Sequence, residues 1–135
     1  MSNRTMSKIY SPVQETVIVA GSFRPNGSSA LVAGQLTPSR GYRGWSVVRT
    51  SAGLFTVTLP DQYAAVISLT ATLRLTTLDD LYAQVGAVSG ITTGANGTIQ
   101  IRVLQIDTGA LADIASAAGN WVNFCFIFGN TQAAS

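Results

Sequence analysis

The sequence predicts an all-β chain, a β-sandwich or jelly roll of about seven to eight antiparallel strands. Three observations carry that expectation. Apolar residues recur with a period of two in AVISLTATLRL, TIQIRVLQI and NWVNFCFIF, the spacing that puts one side of a strand on a core. Gly, Pro, Asn and Asp punctuate the chain between these runs, as turns require. Nowhere does an i, i+3, i+4 pattern persist through three helical turns.

The elements follow in order. Residues 1–14 are polar with Pro12 among them and read as an extended arm. ETVIVAGSF is the first strand, ended by RPNGSS, where Asn26-Gly27 supplies a tight turn. Ala30 to Arg43 holds Gly34, Pro38 and Gly41 and reads as an irregular excursion. GWSVVRT and LFTVTL flank Ser51-Ala52-Gly53, a hairpin whose glycine takes the left-handed conformation. Pro60 stops the second of these strands, and DQYAA is a turn or a single helical turn. In AVISLTATLRL, Ile67, Leu69, Ala71, Leu73 and Leu75 are expected on the core side, with Ser68, Thr70, Thr72 and Arg74 in solvent. LYAQVGAV follows as a strand, then the loop SGITTGANG, then TIQIRVLQI with Ile99, Ile101 and Val103 inward. DTGALADIASAAGN reads as a long loop with room for a short helix. The last strand is NWVNFCFIFGN, with Val122, Phe124, Phe126 and Phe128 on one side and residues 131–135 as a tail. Residues 15–130 thus form one sandwich domain.

The composition narrows the tasks open to such a domain. Charged residues are 10% against 47% hydrophobic, well under the roughly 25% charge of an ordinary soluble domain. A surface so poor in charge has little repulsion to keep copies apart, so self-assembly is expected. Residues 1–50 carry Arg4, Lys8, Arg24, Arg40, Arg43 and Arg49 against Glu15, a net +5. The remainder is net −3, from two arginines and five aspartates. The cations are dispersed and form no run, so a protein partner with complementary charge is expected before nucleic acid. No run approaches the roughly 18 apolar residues of a membrane span, and the opening residues hold no secretory signal pattern. Production in a reducing cytoplasm is the expectation.

Catalytic and metal chemistry find few residues to use. Histidine is absent, which removes the commonest general base and metal ligand. The one cysteine, Cys125, lies in an apolar strand and is expected to be buried. Asp79-Asp80 reads as a solvated turn, and Asp107 with Asp113 lacks the ligand spacing of a calcium loop. GITTGANG has neither the Lys-Ser/Thr nor the following helix of a phosphate loop. No catalytic residue, metal or cofactor is expected.

The stretches GSFRPNGSSA, GWSVVRTSAGLFTVTLPDQYAAVISLTATLRL, TIQIRVLQ and GNWVNFCFIFGN together resemble small structural proteins of tailed-phage virions, above all capsid decoration (cement) proteins. The resemblance spans roughly residues 20–130 and rests on strand and turn patterns. It implies a non-enzymatic protein on the capsid surface, with the major capsid protein and its own copies, as a dimer or trimer, for partners. On that reading Arg4, Lys8, Arg40 and Arg43 are expected to contact an acidic capsid surface, the arm ordering as it docks. Trp45 and Trp121, both inside strand patterns, are expected in the core or at the contact between copies. Two other readings share the fold. A tail-fibre or receptor-binding module would show Trp and Tyr clustered on loops for a host glycan, with Trp45, Tyr42, Trp121 and Tyr82 as the candidates. A tail-tube or head-completion protein would form rings.

Overall fold

A chain whose strands alternate apolar and polar must bury one side of each sheet against another sheet. The computed structural model describes residues 16–31, 36–38, 45–77, 80–94 and 96–129, and they do this with eight strands. These are β1 (Thr16–Phe23), β2 (Leu36–Pro38), β3 (Ser46–Ser51), β4 (Leu54–Thr58), β5 (Ala65–Arg74), β6 (Leu81–Ser89), β7 (Thr98–Gln105) and β8 (Trp121–Gly129). One sheet has the order β2-β1-β8-β5 and the other β3-β4-β7-β6. Every strand pair is antiparallel. The chain stays within a sheet at β1–β2, β3–β4 and β6–β7, and changes sheet at its other connections. The all-β sandwich expected from the sequence is the fold observed.

Phenylalanines from β8 form the spine of the core. Val122, Phe124, Phe126 and Phe128 are each 3% exposed or less, as their shared parity predicts. Phe124 stacks on Phe126 with ring centroids 4.7 Å apart. From the facing sheet come Phe55, Val57, Ile99, Ile101 and Val103, all fully or almost fully buried. Loop residues close the ends: Tyr63 stacks on Phe128 at 4.3 Å, and Ile91 and Ile114 are buried plugs.

Several local expectations need correction. The Ala30–Arg43 excursion contains β2, which pairs with the far half of β1 (Phe23↔Leu36, Gly21↔Pro38). Pro38 is tolerated because β2 is an edge strand, where a missing N–H costs no ladder bond. The Asn26-Gly27 turn is real, with Gly27 at φ 60° and Ser29 N–H donating to Asn26 O, but it opens this longer connection rather than closing a two-residue hairpin. DQYAA keeps the turn reading, and 107–120 is the long loop expected, entered through a single turn in which Gly109 N–H donates to Gln105 O. In β5 the register slips between Val66 and Ser68. Ile67 is the extra residue of this bulge and is 54% exposed, so it leaves the row of Leu69, Ala71 and Leu73 that packs on the core. Cys125, opposite in parity to the phenylalanines, is only half-buried on the outer side of β8.

Gly53 has φ 64°, the left-handed conformation expected at the β3–β4 turn. The last pair is Ser51↔Leu54, with an irregular register between Arg49 and Ser51.

Candidate functional site

Charge in the described residues gathers at one end of the sandwich. Arg49 near the end of β3 donates to Asp113 in the β7–β8 loop through both Nε (to Oδ1, 3.1 Å) and an Nη (to Oδ2, 2.9 Å). The Gly53 amide also donates to Asp113 Oδ1 at 2.9 Å. Asp113 therefore pins the β3–β4 hairpin to the loop that enters β8. Its carboxyl is held below the usual carboxylate range, first by the Arg49 hydrogen bonds and further by the Gly53 amide, against an opposing effect of burial. Both side chains remain partly in water, at 17% and 23% exposure. A lowered folded pKa favours the charged form, so the stabilisation is complete above the ordinary value of about 4 and is lost as acid carries Asp113 through its lower folded value. The variant Asp113→Asn is expected to melt below the parent at pH 7, and the gap to narrow as acid carries Asp113 through its lowered folded pKa. A gap in thermal unfolding that does not change as the pH is lowered would mean that the carboxylate charge plays no part.

Beside this pair lies an open pocket of about 300 Å³ lined by Asp80, Leu81, Gln105, Asp107, Ala112 and Asp113. Three carboxylates border it, yet they do not converge. Among the described residues no group of three His, Cys, Asp or Glu is close enough to hold a metal ion. Asp113 is already bound by Arg49 and Gly53, which leaves it no free role as a base. The buried amide of Asn120 is likewise structural: its Oδ1 accepts from Thr76 N–H and Oγ1, and its Nδ2 donates to Ala115 O.

The outward sheet faces offer more. On the β2-β1-β8-β5 sheet the register sets Ile18 beside Ile127 and Ile127 beside the Ile67–Ser68 bulge. The next rows are Ala20–Cys125–Thr70 and Ser22–Asn123–Thr72. Ser22 Oγ donates to Asn123 Oδ1 and Thr70 Oγ1 to Cys125 O. Arg74 ends the face, its guanidinium 5.6 Å from the centre of the Trp121 ring. On the opposite sheet the outward positions include Ser46, Val48, Thr56, Thr58, Thr98 and Gln100, with Arg102 near one end. Arg102 lies across β6 at Gly86, where a Cβ would come within 2.6 Å of its Nε.

Trp45 is 3% exposed and meets Phe124 edge-on at 4.9 Å. Its ring is committed to the chain's own core and offers almost no surface to a second copy. Trp121 is half-buried under Arg74 on the outer face, its indole N–H donating to Ala118 O. Tyr82, 39% exposed, sits on the other sheet, so the structure does not bring Trp121 and Tyr82 together. Arg4, Lys8, Arg40 and Arg43, like Tyr42 and Asp79, lie outside the described residues.

Sequence reasoning missed the isoleucine row. The signal was there in TVIVA, AVI and CFIF, where strict alternation fails and both strand faces are apolar. Comparison with protein-family models, with curated proteins and with solved structures finds no match.

Proposed function

We propose that the chain is a structural virion protein that binds the outside of a tailed-phage capsid and stabilises contacts between major capsid protein subunits. The carrying observation is the character of the two outer sheet faces. They present Ser, Thr, Gln, Ala, Val and Ile, with Arg74 and Arg102 as the outward charges on the described strands, Arg49 of β3 being paired to Asp113. Faces of that kind suit broad, weakly polar contacts, which many copies on a shell combine through avidity. The resemblance of residues 20–130 to decoration proteins supports the same reading, and the polar arm with Arg4 and Lys8 would supply the electrostatic part of the contact. The glycan-binding alternative draws less support, because Trp121 and Tyr82 lie on opposite sheets rather than together on loops.

The test is sedimentation of the purified full chain with capsids from which it has been deleted. Saturable pelleting at a fixed ratio to the major capsid protein is expected, together with a higher temperature of shell disruption. Deleting residues 1–12 is expected to reduce occupancy by about tenfold or more, as loss of two cations and their ordered segment would. Failure to pellet with mature shells, or attachment confined to tails, would reject the proposal.

A further inference from the structure

Two Asn-Gly pairs occur in the chain, Asn26-Gly27 and Asn96-Gly97, and the fold holds them differently. An asparagine side chain can close on the next backbone nitrogen, most readily when glycine follows and no Cβ hinders the approach. The peptide unit between the two residues must first turn until the glycine nitrogen faces Asn Cγ. Whatever fixes that unit slows the chemistry. At Asn26-Gly27 three hydrogen bonds fix it. Gly27 N–H donates to Ile114 O at 3.0 Å, Asn26 O accepts from Ser29 N–H at 3.0 Å, and Asn26 Nδ2 donates to Ala30 O at 2.9 Å. The nucleophile, the peptide carbonyl and the leaving amide are all engaged.

At Asn96-Gly97 none of the three is. Among the described residues the Gly97 N–H, the Asn96 carbonyl and the Asn96 side-chain amide make no hydrogen bond. Leu59 N–H donates to Gly97 O at 2.9 Å, which lies beyond the unit that has to turn. Asn96 is exposed and, at φ 66°, is the one non-glycine residue among those described in the left-handed region, a conformation asparagine tolerates better than most. Gly97 is buried, and a Cβ there would stand 2.8 Å from Ile91 Cα and 2.9 Å from Ile91 N. The packing that requires glycine at 97 therefore keeps a reactive pair in this turn.

We propose that Asn96 is a self-modification site, at which the chain deamidates through a cyclic imide. Solvent base takes the proton of Gly97 N, and the nitrogen bonds to Asn96 Cγ. The Cγ–Nδ2 bond breaks, and ammonia leaves with a proton returned by water. Water then opens the ring. Cleavage between Cγ and the Gly97 nitrogen gives aspartate. Cleavage between the residue 96 backbone carbonyl carbon and that nitrogen gives isoaspartate, the chain continuing through Cβ and Cγ. Either product adds one negative charge to a chain of formal net charge +2. Isoaspartate also lengthens the backbone by one atom, in a turn tied to the end of β4 through Leu59 N–H to Gly97 O and Tyr63 N–H to Ile91 O. It should loosen that end of the sandwich. The proposal does not depend on the chain's place on a capsid.

The experiment ages the purified full chain in mildly alkaline buffer and maps it with trypsin over time. Cleavage after Lys8, Arg40, Arg74 and Arg102, the Arg24–Pro25 bond resisting, leaves Asn26 and Asn96 as the only asparagines of fragments 9–40 and 75–102. Each product reads as a more acidic peptide whose mass shows NH2 replaced by OH. In the folded chain fragment 75–102 should convert about tenfold or more faster than 9–40, the factor that three hydrogen bonds represent at the weak end of their range. In urea strong enough to unfold the chain the two rates should converge, since both sites are then unstructured Asn-Gly peptides. Asn96→Gly, which keeps a residue suited to positive φ, should abolish the fast product. The aged chain should melt below the variant Asn96→Asp, which carries the charge without the longer backbone. Conversion of Asn26 as fast as Asn96 in the folded chain overturns the proposal. So does a rate difference that persists unchanged in urea, or conversion in fragment 75–102 that survives Asn96→Gly. An aged chain that melts together with Asn96→Asp rejects the isoaspartate product.

Discussion

Replacing Phe126 by alanine is expected to lower the unfolding free energy by about 4 kcal/mol, a large part of the 5–15 kcal/mol available to a domain of this size. Phe126 has no exposed surface and stands at the middle of the β8 spine, stacked on Phe124 and 6.4 Å from Phe128. Both neighbours are fixed by other rings, Phe124 by Trp45 and Phe128 by Tyr63. The cavity therefore cannot collapse cheaply, and the cost should fall in the upper half of the range for Phe→Ala. Urea titration at one protein concentration reads it as a lower midpoint with little change in slope. Cys125→Ala, one position away on the outer side, should cost under about 1 kcal/mol. Comparable losses at the two positions would mean that the strand is not oriented with its phenylalanines inward.

The orientation of β8 was legible because its pattern is unambiguous: four large apolar residues at every second position. The same holds for Ile99, Ile101 and Val103 in β7. Where both faces of a strand are apolar, parity carries no such information. TVIVA alone does not say whether Ile18 or Val19 points inward, and only the pairing with β8 decides. Ile67 shows a second limit. Alternation assumes an unbroken ladder, and a one-residue bulge moves an isoleucine from the expected core row to the solvent side. β2 was hidden for another reason: three residues carry too little pattern to stand out, and their strand character comes from the edge of β1 that they cover.

Much less of the candidate interaction surface could be read in advance. The basic bias of the first 50 residues drew attention to Arg4, Lys8, Arg40 and Arg43, which fall outside the described residues. Arg49, from the same half, proves to be an internal strut to Asp113. That pairing joins residues 64 apart in sequence, and no local pattern signals it. A count of cations per half therefore overstates what is free to meet a partner. The faces that remain exposed are defined by cross-strand register, which places Ile18, Ile127 and Ile67 in one row from three distant segments.

Gly53→Ala is expected to destabilise the chain by about 3 kcal/mol or more, although it adds a single methyl group at a surface hairpin. Two separate penalties act together. At φ 64° any residue with a Cβ incurs about 1–2 kcal/mol. The new Cβ would also sit 2.6 Å from Ala112 N, 2.7 Å from Ala112 O and 2.9 Å from Val103 O. These are backbone atoms, which cannot rotate aside, and overpacking of that kind costs about 1–3 kcal/mol. The two atoms of Ala112 belong to the loop that Asp113 anchors, and Ala112 N–H donates to Val103 O. Gly53 is itself bonded on both sides, its N–H to Asp113 and its carbonyl accepting from Val103 N–H at 2.8 Å. A shift that relieves the clash must therefore loosen the hairpin, β7 and the Arg49–Asp113 pair at once. The signature is specific: Gly53→Ala should lower the melting temperature and also abolish the acid-dependent part of stability assigned to Asp113. Gly109→Ala is the control, since Gly109 has a similar φ of 70° but nothing within 4 Å of its Cβ. It should show the conformational penalty alone, about 1–2 kcal/mol. Equal effects at the two glycines would mean that the close approach of the β3–β4 turn to Ala112 and Val103 does not exist in solution, and with it would go the anchoring role given to Asp113.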